Sequence, residues 1–106
     1  MTETLEFAVS DPAALGPLRA RLLSIPGLVV RRRAEPAARH ELGATDILTA
    51  LGAGAALAAA INLLPDFVGS RRTGVTVRVK AGDREIEVRG RDAAEAVRLL
   101  EKILGD

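Results

Sequence analysis

The sequence predicts an α+β protein in which helices and one sheet form a two-layer sandwich. Three observations favour this class: short segments of alternating apolar and polar residues, segments with apolar residues at helical spacing, and an uncharged stretch rich in Ala and Gly. The predicted order is strand, helix, strand, helix, strand, strand, helix (βαβαββα). A chain of 106 residues fits a single domain, 1–106.

The first strand and helix follow from local pattern. Thr4 to Ser10 alternates apolar and polar residues, which predicts a half-buried strand. Asp11 is a good N-cap for a helix with Pro12 in its first turn. Because a proline inside a helix is unfavourable, Pro17 favours a helix that begins later, near Pro17. The Pro-Gly pair at 26–27 ends the helix. Its apolar stripe is Leu15, Leu18, Leu22 and Ile25.

The second strand is predicted at Leu28 to Arg32, with Val29 and Val30 in the core. Ala34 to His40 is a polar segment that contains a proline, which predicts a loop.

The segment from Ile47 to Leu64 is predicted to be one long Gly/Ala-rich helix, starting near Glu41 or Thr45 and ending at Pro65. Its small residues recur every four positions, and such rows allow another backbone to approach closely. The helix is therefore either a core helix or a core helix that also mediates self-association. The expected interface residues are Ala50, Gly52, Gly54, Ala56, Leu57, Ala58 and Ile61.

Membrane insertion of this helix is the alternative, because an uncharged stretch of this length reaches the lower limit for crossing a bilayer. Ala and Gly give only a modest insertion energy, and arginines lie on both sides of the segment, so no orientation is favoured. A soluble helix is therefore the preferred interpretation.

The last part of the chain predicts a hairpin and a helix. Val75 to Lys80 and Arg84 to Arg89 alternate apolar and polar residues, and Gly82-Asp83 fits a tight turn between them. Asp92 and Glu95 have the spacing of a capping box at the start of a helix. Its apolar stripe is Val97, Leu100 and Leu104.

The amino-acid composition limits the classes of function that the chain can have. The chain has two aromatic residues, so its core must be aliphatic, and it has no cysteine, which excludes disulfide and thiol chemistry and suits the cytoplasm. The formal net charge of +1 gives the whole chain no attraction to nucleic acid.

No motif predicts catalysis or a cofactor. Gly52-Ala53-Gly54 begins like a dinucleotide-binding fingerprint, but Leu57 occupies the third glycine position. His40 is the single histidine and has only Glu41 and Asp46 as neighbouring acids, which is a weak metal site. Ser24 and Ser70 lack the pattern that surrounds a nucleophilic serine. We therefore expect no enzyme, no cofactor and no metal.

Arginine clusters are the one charge feature of note. They predict either contacts to an anionic partner or, more simply, solvated strand ends and loops. No aromatic residues interleave with them, which argues against single-stranded nucleic acid. The residues concerned are Arg31, Arg32, Arg33, Arg71 and Arg72.

Five segments follow one another in a characteristic order over nearly the whole chain. These are Asp11-Pro12-Ala13-Ala14-Leu15, the arginine- and proline-bearing segment from Arg31 to Arg39, Leu51-Gly52-Ala53-Gly54-Ala55, the pair Arg71-Arg72 followed by Val75-Thr76-Val77-Arg78-Val79, and the final helix from Asp92 to Leu104. In the order of these segments, the chain resembles the effector-associated constant component family of bacterial conflict systems.

The resemblance implies a small non-enzymatic adaptor, encoded beside variable effectors such as proteases or nucleotide-dependent regulators. It carries no catalytic residues onto this chain. We therefore expect a cytoplasmic component of a defence system that binds an effector protein and forms homo-oligomers, with no nucleic acid as a partner.

Overall fold

A computed structural model describes residues 3–35, 45–70 and 74–105 of the chain. The strands are β1 (Glu3–Val9), β2 (Val29–Glu35), β3 (Thr45–Gly52), β4 (Val77–Ala81) and β5 (Arg84–Val88). The helices are α1 (Leu15–Leu23), α2 (Gly54–Asn62), α3 (Leu64–Gly69) and α4 (Ala93–Gly105), and a 3-10 turn (Pro12–Ala14) leads into α1. The α+β class is confirmed.

The five strands form one antiparallel sheet in the order β2-β3-β1-β4-β5. Both β1 and β2 are antiparallel to β3, so they are parallel to each other with β3 between them. In the same way, β3 and β4 are parallel with β1 between them. The chain therefore contains two interleaved split β-α-β units, the arrangement of ferredoxin-like folds, extended by β5 and α4.

All four helices contribute to the layer that covers one face of the sheet, and together they enclose an aliphatic core. The sheet contributes the fully buried side chains of Leu5 and Phe7 in β1 and Leu48 in β3. The helices contribute Leu57 of α2 and Leu100 of α4, which are also fully buried. No polar or charged residue among those described is buried. The opposite face of the sheet has no helix across it in the described part of the chain, so the molecule is a two-layer sandwich.

The prediction of one long helix from Ile47 to Leu64 is wrong. The first half of that stretch is the strand β3, and α2 begins only at Gly54. Leu48 and Ala50 point into the core while Ile47, Thr49 and Leu51 are on the other face and partly exposed, which is the two-residue period of a strand. The predicted order βαβαββα therefore lacks the strand β3 and the separate short helix α3.

This correction also removes the basis of the membrane alternative. A stretch that folds as a sheet strand followed by a nine-residue helix does not provide a spanning helix. No helix in the described ranges is long and apolar enough to cross a bilayer.

Gly52 allows the abrupt change from β3 to α2. A Cβ atom at this position would lie 3.2 Å from each of the Ala56 Cβ, the Gly27 carbonyl oxygen and the Leu28 Cδ1. Such contacts are tighter than ordinary packing, so glycine lets the end of β3 lie close to the entry of β2.

Several local predictions are confirmed. The Asp11 carboxylate accepts a hydrogen bond from the Ala13 amide at 3.0 Å, capping the 3-10 turn that continues into α1. Gly82, with φ of +65°, and Asp83 form the predicted tight turn between β4 and β5.

The predicted burial of Val29 is wrong. Val29 alternates with buried Val30 along β2, and its side chain is 52% exposed.

Candidate interaction surfaces

The uncovered face of the sheet carries side chains from all five described strands. Strand register places its side chains in rows that cross the sheet. One row joins Arg31, Thr49, Glu6, Lys80 and Glu85, in the order β2, β3, β1, β4, β5. Polar groups thus alternate in charge along this row, as on a sheet face in contact with water.

Ion pairs connect strands on this face: one crosses β3 from β2 to β1, and the others join the neighbouring strands β4 and β5. Arg33 Nη2 donates to Glu6 Oε1 at 2.7 Å, and the Arg78 guanidinium lies 3.4 Å from the Glu85 carboxylate and 3.7 Å from that of Glu87. At least half of the Arg33 and Arg78 side chains is exposed, so each pair stabilises the fold only weakly.

Beyond the end of β5, Arg89 Nη2 donates to Glu87 Oε2 at 2.6 Å. This hydrogen bond, followed by the positive charge of Arg89, holds the pKa of the Glu87 carboxyl below its ordinary value. The same hydrogen bond raises the pKa of Arg89. Glu87 therefore remains ionised at mildly acidic pH and keeps its partners in place.

An apolar patch interrupts the charges at the β2-β3 side of the face. Val29, half-exposed, lies directly opposite Leu51, which is partly exposed. Ile47 is on the same face of β3, four residues before Leu51, with Thr49 between them. We call Val29, Ile47 and Leu51 the apolar patch. Arg31 and Arg33 border it on β2. This combination of apolar centre and basic rim is typical of a surface that binds another protein.

The interface residues predicted from the sequence do not lie on one helical face. Ala50 and Gly52 belong to β3 and are buried, and the side chains of Ala56, Leu57 and Ile61 point into the core. Gly54 and Ala58, in the first and second turns of α2, are the two members of the set that remain accessible.

The arginines of the predicted anionic-partner site divide between the two faces of the sheet. Arg31 and Arg33 lie on the uncovered face, whereas Arg32 is in register with buried Leu48 on the helix-covered side. Arg71 and Arg72 lie outside the described residues. The structure therefore brings two of the five predicted arginines to one surface.

A second surface, the β5-α4 groove, lies at the outer edge of the sheet. It has a volume of about 720 Å³ between strand β5 and helix α4. Leu99 is 52% exposed along it, and Ile86 and Ile103 are partly buried. Sequence reasoning missed this site, although Leu99 stands outside the stripe of α4 and could have marked it. The lining residues are Arg84, Glu85, Ile86, Leu99, Lys102 and Ile103.

No catalytic arrangement forms among the described residues. The Ser24 hydroxyl donates to the Arg21 carbonyl oxygen at 2.6 Å and that of Ser70 to the Phe67 carbonyl oxygen at 2.9 Å, so both serines bond to the ends of their helices. His40 and Glu41 lie outside the described ranges. Within those ranges no three His, Cys, Asp or Glu residues are grouped to hold a metal ion.

Residues 7–104 match the model of the family described as Effector Associated Constant Component 1. No curated protein matches the chain.

Proposed function

The chain belongs to the Effector Associated Constant Component 1 family, and from this premise we propose that it is a non-enzymatic adaptor of a bacterial conflict system. It binds an effector protein by protein-protein interaction in the cytoplasm. The effector is of the kind that the family resemblance implies, a protease or a nucleotide-dependent regulator.

The observation that supports this proposal most directly is the uncovered sheet face. Its apolar patch presents Val29 at 52% exposure next to Leu51, in a chain whose other large apolar residues lie mostly in the core. Burying an exposed valine or leucine side chain contributes about 1.5–3 kcal/mol. A partner that covers this patch would therefore gain binding free energy, and the core of the adaptor would not have to change.

The basic rim favours an effector surface that is acidic around an apolar centre. Arg31 and Arg33 border the patch, and Arg33 is already held by Glu6. Such rim charges act mainly on the rate and the specificity of association rather than on the final affinity. We therefore expect the association rate to fall as salt concentration rises.

Calorimetric titration of the chain with the effector encoded beside it tests the proposal. Val29→Asp places a charge in the patch and should weaken binding at least tenfold. Leu23→Asp is the matched control, because Leu23 is 48% exposed on α1, away from the patch. Absence of binding by the unaltered chain, or equal losses in the two variants, would contradict the proposal.

Self-association forms part of the proposal. Gly54 and Ala58 keep the outer side of α2 accessible to a second copy, whereas the buried members of the predicted interface set contribute to the core of each copy. Small residues at such a face allow close approach of two helices, and homo-oligomers are the commonest assemblies of soluble proteins.

A further inference from the structure

The outer edge of β5 is unpaired in the described part of the chain, because β5 pairs only with β4. The two-residue turn makes Ala81 and Arg84 a closing pair, and hydrogen-bonded and non-hydrogen-bonded pairs then alternate along the hairpin. This alternation directs the backbone N–H and C=O groups of Glu85 and Glu87 outward. The edge therefore offers a short template for another strand.

The β5-α4 groove lies alongside that edge and offers apolar contact area. Leu99 is the most exposed large apolar side chain of α4, and Ile86 and Ile103 form the part of the wall that is partly buried. A strand added to β5 would turn every second side chain towards these three residues. Backbone pairing and side-chain burial can thus act together, as in other cases of strand addition.

The charged residues that line the groove determine which kind of incoming strand fits it. Arg84 and Lys102 line the groove, and neither forms an ion pair within 4.0 Å with any described residue. Glu85 also lines the groove, but its carboxylate is 3.4 Å from Arg78 on the uncovered face. An incoming strand therefore meets an apolar wall with two unpaired cations.

A second copy of β5 fits this edge poorly. Antiparallel pairing over the full strand, centred on Ile86, would set Glu85 of each copy opposite Glu87 of the other. Like charges directly opposite each other across a strand pair are destabilising.

We propose that the β5-α4 groove binds an extended segment of a partner protein, which joins the sheet as a sixth strand. The segment carries a large apolar residue against Leu99 and Ile86, with a carboxylate two residues away on the same face for Arg84 or Lys102. This site is separate from the uncovered sheet face. It rests on the proposed function in one respect only, namely that it would be the second binding surface of an adaptor.

NMR titration of the ¹⁵N-labelled full chain with a blocked peptide, Asp-Thr-Ile-Thr-Val-Thr-Asp, tests this inference. We expect saturable shift changes centred on the amides of Glu85, Glu87 and Leu99. A control peptide with both Asp residues replaced by Lys should bind at least tenfold more weakly. Shifts centred elsewhere, no shifts at millimolar peptide, or equal binding of the two peptides would overturn the inference.

Two surface variants sharpen the test without touching the core. Leu99→Asp and Lys102→Glu should each weaken binding of the acidic peptide at least tenfold, whereas Leu23→Asp should leave it unchanged. Parallel effector titrations separate the two proposals. Effector binding without peptide binding would overturn the groove alone, and peptide binding without effector binding would overturn the adaptor role alone.

Discussion

Arg33 on edge strand β2 donates a hydrogen bond to Glu6 on central strand β1 at 2.7 Å, across the intervening strand β3. Neighbouring strands lie about 4.8 Å apart, so the two side chains together span two strand spacings. The contact passes over the face of β3 and links both ends of the first split β-α-β unit. It joins two side chains that are 27 residues apart along the chain.

The coupling between these two residues should be small and sensitive to salt. Arg33 is 55% exposed and Glu6 27% exposed, and exposed pairs of this kind contribute about 0.2–1 kcal/mol. A double-mutant cycle of Arg33→Ala and Glu6→Gln, measured by urea unfolding, should give a coupling energy in this range at low salt. The coupling should shrink in 1 M NaCl, and an undiminished value there would contradict a screened surface pair.

Gly52 and Gly54 should respond oppositely to alanine. A Cβ at Gly52 meets three atoms at 3.2 Å, among them a carbonyl oxygen that cannot swing away, so Gly52→Ala should lower the free energy of unfolding by roughly 1 kcal/mol. A Cβ at Gly54 meets nothing within 4 Å. Gly54→Ala should therefore raise that free energy by about 0.4–1 kcal/mol, since alanine reduces the entropy of the unfolded chain.

Chemical denaturation of the two alanine variants and the unaltered chain measures this difference. The pair is well matched, because both glycines border the turn from β3 into α2. Equal stability of the two variants would indicate that the contacts of Gly52 relax without cost.

Glu87 should contribute to stability near neutral pH and lose that contribution in acid. Arg89 lowers the pKa of Glu87 in the folded chain from an ordinary value of 4.5. The ionised carboxylate therefore stabilises the fold above about pH 4.5, and the contribution is lost as the pH falls from there through the lowered folded-state pKa. Glu87→Gln should accordingly flatten the acid limb of the stability profile.

A ¹³C NMR titration of the Glu87 carboxyl provides the direct measurement. Arg89→Ala should return the pKa of Glu87 towards its ordinary value, because it removes both the hydrogen bond and the charge that lower it most. A Glu87 pKa that Arg89→Ala leaves unchanged would assign the shift to Arg78 instead.

The sequence predicted most elements because their local signals agree with the final packing. Asp11 caps a turn, Gly82 accepts a positive φ, and the stripe of α4 points Val97 and Leu100 into the core. These signals depend on neighbours within a few residues, so they do not require knowledge of the sheet order.

The sequence predicts one helix from 47 to 64 because the two halves of this stretch are similar in composition. Residues 47–52 of β3 and the whole of α2 are uncharged, and their Ala and Gly residues do not distinguish a strand from a helix. The β-branched residues Ile47 and Thr49 alternate with Leu48 and Ala50, which β3 buries, and this alternation is the local signal of the strand.

Both candidate surfaces depend on strand order, which the sequence does not determine. Val29 reaches the apolar patch because β2 pairs with β3, and Ile86 reaches the β5-α4 groove because β5 lies at the edge. Strand β1 pairs with β3 and β4 and not with β2, the next strand along the chain, and local patterns carry no information about such long-range pairing.

Gly54→Leu tests self-association of the folded chain. The position is exposed in the first turn of α2 with open space around it, so a leucine should leave the monomer folded. If two copies approach through Gly54 and Ala58, the added side chain should separate them and reduce the mass seen by light scattering across a dilution series. Ala94→Leu, exposed on α4, is the matched control and should leave the mass unchanged. An oligomer that persists in Gly54→Leu would place the interface elsewhere, and a monomeric unaltered chain would mean that the outer side of α2 is not used for self-association.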